Sequence, residues 1–173
     1  MTRNITRRRS LVIIGIAASA FALGMPGVRS GEAQSPSPRF GTWRLNTAKS
    51  MYSDARRPPQ RLLRTDEPSG DAAVKVTYEG VAADGSRIAY SYTAAYDGAE
   101  NGVSGVGMGN GWDRISLRRI NEREWEATMK RQGKVVSVAH VVVSADGKTL
   151  TNTSTGTNQS GQPNKNVQVY ERQ

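Results

Sequence analysis

Between Arg61 and Arg172, apolar side chains recur at every second position, and a turn signal breaks the pattern about every ten residues. Period two sends alternate side chains to opposite faces of an extended strand. Val74, Val76 and Tyr78 share one face, against Lys75, Thr77 and Glu79. Ile88, Tyr90, Tyr92 and Ala94 lie opposite Ala89, Ser91 and Thr93. Ile115 and Leu117 alternate with Arg114, Ser116 and Arg118; Trp125, Ala127 and Met129 oppose Glu124, Glu126, Thr128 and Lys130. Asp84-Gly85, Asp97-Gly98, Asn121-Glu122, Gln132-Gly133 and Asp146-Gly147 supply the turns between them. Sequential tight hairpins make an antiparallel meander. A long, twisted meander loses its exposed edges by closing on itself. The expected fold is therefore all-β: an antiparallel up-and-down β-barrel of eight to ten strands. A two-sheet sandwich needs long crossovers, and only residues 46–60 offer one.

Some stretches carry less pattern. Residues 46–60 accommodate one helical turn before Pro58-Pro59 stops it. Gly98 to Gly111 is Gly-rich, with room for one weak strand near Val103, and reads as a hairpin at the barrel mouth. Val135 to Val143 is apolar on both faces in places. Thr149–Thr157 and Val167–Arg172 complete the strand set, with a polar loop between them.

The N-terminus reads differently. Arg7-Arg8-Arg9 precedes the apolar run Leu11–Leu23, which is shorter than the roughly 20 residues a membrane span needs. Small residues and Gly31-Glu32-Ala33 follow. A signal peptide is expected over residues 1–33, with a partial twin-arginine match at Thr6–Leu11. Residues 34–39 form a Pro/Ser linker, and residues 40–173 form the barrel domain. This organisation places the protein in the periplasm or outside a bacterium, with no stable membrane span in the mature chain. The formal charge is +9, of which five arginines and one glutamate in residues 1–33 remove +4. The remainder is mildly basic, and nucleic acid is not an expected partner outside the cell. The chain has no cysteine, which excludes disulfides, thiolate metal sites and cysteine nucleophiles. A monomer is expected.

Gly41-Thr42-Trp43-Arg44-Leu45-Asn46 resembles the first strand of fatty-acid-binding proteins and lipocalins, the calycin-type barrels. Val169-Tyr170-Glu171-Arg172 is similar to the end of the fatty-acid-binding proteins, and the overall layout resembles small exported lipocalin-like bacterial proteins. The resemblance implies that Gly41 and Trp43 plug one barrel end beneath a basic side chain from a late strand, Arg172 or Lys165. The family's Arg-x-Tyr carboxylate anchor falls on Gln168-Val169-Tyr170, so the arginine is absent. The resemblance turns Gln168 and Tyr170 inward, whereas apolar patterning turns Val167 and Val169 inward.

The candidate ligand contacts are Tyr78, Tyr90, Tyr92, Trp125, Met129 and Tyr170. A buried phenol needs a polar partner, so these side chains either line a cavity or fill a packed core with their hydroxyls at its rim. His140 is the only histidine, and no metal, haem or other cofactor is expected. No catalytic constellation is readable; Asp113, Glu124 and Glu126 fall on polar faces or near turns. Arg56, Arg57, Arg61 and Arg64 read as a solvated basic cluster on the long excursion. The leading function is an exported, non-catalytic barrel that binds a small apolar or amphipathic molecule. The alternative is a filled barrel acting by its surface, as an envelope interaction module or protease inhibitor with residues 34–39 as its arm.

Overall fold

The computed structural model describes residues 37–53, 57–158 and 160–173. The expected signal peptide, and residues 34–36 of the linker, lie outside the described residues. Eleven strands form one antiparallel sheet among the described residues: β1 (Gly41–Leu45), β2 (Met51–Tyr52), β3 (Arg61–Ser69), β4 (Ala73–Val81), β5 (Arg87–Ala95), β6 (Asn101–Val106), β7 (Arg114–Arg119), β8 (Glu124–Arg131), β9 (Lys134–Val143), β10 (Thr149–Thr157) and β11 (Pro163–Arg172). Ten of them pair in a ring, β1-β3-β4-β5-β6-β7-β8-β9-β10-β11, which β1 closes against β11. The short strand β2 adds to β11 at Asn166 and Val167. The meander expected from the turn signals thus closes as a barrel, and its edges disappear. Gln132-Gly133 shows how local chemistry sets the register. Both residues have positive φ (49° and 77°), as a two-residue primed turn between β8 and β9 requires.

The inward residues follow the alternation. Val74, Ala94, Leu117, Trp125, Val141, Val143 and Leu150 are buried and fill much of the interior. Residues 46–60 contain a 3-10 turn, Thr47–Lys49, capped by the Asn46 side chain, followed by β2. β6 covers the weak strand expected near Val103. It pairs with β7 only at Asn101↔Ile115 and Gly102↔Arg114, and the intervening loop carries Trp112 into the interior.

Two inward faces depart from apolar patterning. On β3, Leu62, Arg64 and Asp66 point in, because Trp43 pairs with Arg64 and neighbours across a ladder share a face. The expected solvated basic cluster is corrected at Arg64, which is 2% exposed. Arg57 and Arg61 are exposed, and Arg56 lies outside the described residues. On β11, Asn164, Asn166 and Tyr170 are buried while Val167 and Val169 sit on the other face. The open question about this strand therefore resolves toward Gln168 and Tyr170.

Candidate functional site

One barrel end is sealed where the first described strand, with Pro38 and Phe40 before it, meets the last strand. Trp43 is wholly buried, and the Arg172 guanidinium lies 4.1 Å from the centre of its ring. That guanidinium also donates to the Gly147 carbonyl (2.6 Å), the Phe40 carbonyl (2.7 Å) and the Pro38 carbonyl. Arg172, and not Lys165, takes the position over Trp43; Lys165 is exposed. Gly41 has φ of 138°, and a Cβ there would stand 2.4 Å from Arg172 Nη1. Glycine at this position therefore lets the guanidinium reach its carbonyls. Arg39 is also buried, 4.5 Å from the ring centre of Tyr96. Trp43 does not line the interior cavity.

Away from that plug the interior holds a chamber of about 140 Å³. One wall is aromatic. Tyr78 and Tyr90 stack with ring centres 4.6 Å apart, and Trp112 meets Tyr90 and Tyr92 edge-on at 5.6 and 6.3 Å. The facing wall, from β9 to β11, is largely polar, with Ser137, Asn152, Ser154, Asn164, Asn166 and Gln168 beside Ala139 and Val141 of β9. Trp125 and Met129 also line the chamber. Of the six candidate ligand contacts, five thus meet in one chamber. Tyr170 is wholly buried next to Leu45 and Leu150 in register but lies outside the lining.

Arg64 occupies the base of this arrangement. Its Nε and Nη2 donate to the two Asp66 carboxylate oxygens at 2.7 and 2.8 Å, and Nη1 donates to the Tyr78 hydroxyl at 3.0 Å. Its guanidinium carbon lies 5.6 Å from the ring centres of both Tyr78 and Trp125. Burial is the largest influence and works against the Arg64 charge, but the Asp66 carboxylate and its hydrogen bonds, together with Tyr78 and Tyr92, outweigh it and keep the guanidinium protonated. Burial pushes the Asp66 carboxyl up, and Arg64 opposes that push. The bidentate geometry is that of an ion pair whose charges cancel.

Several polar atoms around the interior have no hydrogen-bond partner among the described residues. They are Asn152 Oδ1, Asn164 Nδ2, Asn166 Oδ1 and the Tyr170 hydroxyl, besides Trp43 Nε1 at the plug. Buried amides without partners are uncommon in folded proteins and cost stability.

Beside the chamber is a second, more apolar space of about 500 Å³, lined by Pro59, Leu62, Ala82, Ala83 and Ile88 among others. Tyr52, Tyr90, Gly109 and Gln168 line both spaces. The Gly-rich loop crosses this boundary. Asn110 Nδ2 donates to the Thr157 carbonyl at 3.0 Å, and Arg131 Nη1 donates to the Asn110 carbonyl at 3.2 Å. The loop is thereby tied to β8 and β10.

No family model and no curated protein matches the chain. Among solved structures, the wild-type fluorescent protein UnaG aligns at 13% identity and a TM-score of 0.51, over 78% of this chain and 97% of that one. Zebrafish ileal bile acid-binding protein complexed with cholic acid aligns at 13% identity and a TM-score of 0.46, over 79% and 100%. The fold is a closed, antiparallel, lipocalin-like β-barrel. The closed ring, the Gly-x-Trp on β1 and the basic residue on β11 agree with that assignment.

Elsewhere no competing centre appears among the described residues. No group of three or more acidic, histidine or cysteine side chains is placed to hold a metal ion among the described residues. His140 is half-exposed and stands 3.6 Å from Glu124. Glu126 pairs with Arg118 on the surface, and Asp113 is exposed. No helix among the described residues is long and apolar enough to cross a membrane.

The sequence reading missed Arg64, Asp66, Trp112 and the amides of β10 and β11. A signal existed for the first pair, since Leu62-x-Arg64-x-Asp66 has the spacing of one strand face. Trp112 sits in a loop, where no periodicity marks it.

Burial raises the phenols of Tyr78, Tyr90, Tyr92, Tyr96 and Tyr170 above the ordinary tyrosine value. A raised folded-state value gives stability that is present below the unfolded tyrosine pKa of about 10 and is lost as pH rises through the folded values. Absorbance at 295 nm should accordingly show these five phenols ionising together with alkaline unfolding, above pH ~10. Stepwise ionisation of the five with the fold intact would contradict their burial.

Proposed function

We propose that the protein is an exported, non-catalytic binding barrel for a small amphipathic molecule. The observation that carries this reading is the chamber itself. Buried amide groups without protein partners converge on it, and it shares four lining residues with a larger apolar space. A polar group fits the inner chamber, and the apolar remainder fits the outer one. A cavity near 150 Å³ holds something about the size of a benzene ring, so the inner space suits a head group and a few carbons. Export is supported by the basic N-terminal run and the apolar segment Leu11–Leu23.

Native mass spectrometry and solvent extraction after gentle purification test this reading, alongside titration with the neutral dye Nile red. The wild type should carry an extractable small molecule and take up Nile red saturably. Ser154 lines the chamber on β10, and Ser154→Leu fills it. That variant should lose the adduct and bind the dye about tenfold or more weakly, equivalent to at least ~1.4 kcal/mol, with its urea midpoint nearly unchanged. A clean apo mass and no saturable uptake by the wild type would favour a filled barrel that acts by its surface.

A further inference from the structure

We infer that the chamber selects a neutral head group that both donates and accepts hydrogen bonds, a primary amide or an alcohol, and rejects a carboxylate. The inference rests on the binding role proposed above and goes on to specify the ligand's chemistry. Its ground is the charge state of the interior. Among the described residues, Arg64 is the only cationic side chain lining the chamber, and both of its carboxylate-facing nitrogens are already committed to Asp66. Its remaining nitrogen donates to the Tyr78 hydroxyl. An entering carboxylate would lose its hydration and find no uncompensated positive charge, and the Asp66 carboxylate would repel it.

The groups that do lack partners are uncharged. Asn164 and Asn166 are more than nine-tenths buried, line the chamber, and each keep an unpaired side-chain atom; Asn152 keeps another. Between them they offer a donor, at Asn164 Nδ2, and acceptors, at Asn152 Oδ1 and Asn166 Oδ1. Turning any of these amides about its terminal bond exchanges a donor for an acceptor, so the set stays neutral and bifunctional. A primary amide complements such a set with its own NH2 and C=O. An alcohol does so with one O–H and its lone pairs. A carboxylate only accepts: it leaves the acceptors on Asn152 and Asn166 without donors as they stand, and if those amides turn to donate to it, it still enters with an uncompensated negative charge beside the Asp66 carboxylate.

Isothermal titration with octanamide, 1-octanol and octanoate at pH 7 tests the inference, because the three probes share one chain and differ in head group. The amide and the alcohol should each bind about tenfold or more tightly than octanoate. Octanoate binding as tightly as either neutral probe, or more tightly, overturns the inference and leaves the binding role standing. If none of the three binds, the binding role fails with it. Asp66→Asn gives a second reading. Removing that carboxylate leaves Arg64 uncompensated, so the order should shift toward octanoate by about tenfold or more relative to wild type. An Asp66→Asn protein that folds and keeps the wild-type order contradicts the assigned part played by the Arg64–Asp66 pair. Should the variant fail to fold, the wild-type series alone decides.

Discussion

Asp66→Ala is expected to destabilise the barrel by about 3–5 kcal/mol, the cost of stranding one member of a buried ion pair. The carboxylate is 1% exposed, and it accepts from Arg64 at 2.7 and 2.8 Å. Its removal leaves a guanidinium inside the barrel with only the Tyr78 hydroxyl as a hydrogen-bond partner among the described residues. Chemical denaturation followed by tryptophan fluorescence reads the loss. Replacing both partners with apolar residues of similar size, Arg64→Met with Asp66→Leu, should recover most of it, since buried pairs add little net stability over a packed core. A cost below about 1 kcal/mol for Asp66→Ala would be that of an exposed pair and would contradict the burial. The double substitution also separates stability from function. It leaves the unpartnered asparagines in place and adds no positive charge, so the neutral probes should keep their advantage over octanoate where the urea midpoint is restored.

The second large effect is at the plug. Trp43→Ala should cost about 3–5 kcal/mol, because a large, wholly buried ring leaves a cavity that the barrel end cannot collapse to fill. Arg172→Lys should cost about 1–3 kcal/mol although it preserves the charge. A lysine ammonium cannot reproduce the planar fork that reaches the carbonyls of Pro38, Phe40 and Gly147 while covering Trp43. Gly41→Ala should act through the same contact. Its Cβ would displace Arg172 Nη1, and its φ of 138° is one that side-chain-bearing residues rarely adopt. A double-mutant cycle between positions 43 and 172 measures the coupling, expected at about 1–2 kcal/mol for a desolvated cation over an indole. Additive effects at the two positions would mean that Arg172 holds the N-terminal segment without supporting the ring.

The barrel was legible because its hairpins are local. Asp84-Gly85, Gln132-Gly133 and Asp146-Gly147 each join neighbouring strands, and Val74, Val76 and Tyr78 show which face of β4 turns inward. The chamber was only half legible, because its two walls obey different rules. The aromatic wall advertises itself through Tyr78, Tyr90, Tyr92 and Trp125, which are large and fall on apolar faces. The opposite wall inverts the pattern. On β11 the valines face outward, and Asn164, Asn166 and Gln168 face the interior, so apolar periodicity points the wrong way. β10 carries little apolar signal beyond Leu150, with Asn152 and Ser154 next along the same face. On β3, the adjacent Leu62 and Leu63 leave the parity open, and only pairing with β1 decides it. A polar interior of this kind hides from sequence because the rule being applied assumes an apolar one.

The central claim is that the chamber between the aromatic wall and the amides of β10 and β11 receives a ligand's polar group. Side-chain amide NMR tests it most directly, since Asn152, Asn164 and Asn166 each carry an observable NH2 group. On titration with octanamide, the resonances of Asn164 and Asn166 should shift together and saturably, while that of the exposed Asn121 stays fixed. Saturable binding that leaves the three chamber asparagines unmoved would contradict the claim and place the ligand elsewhere on the protein.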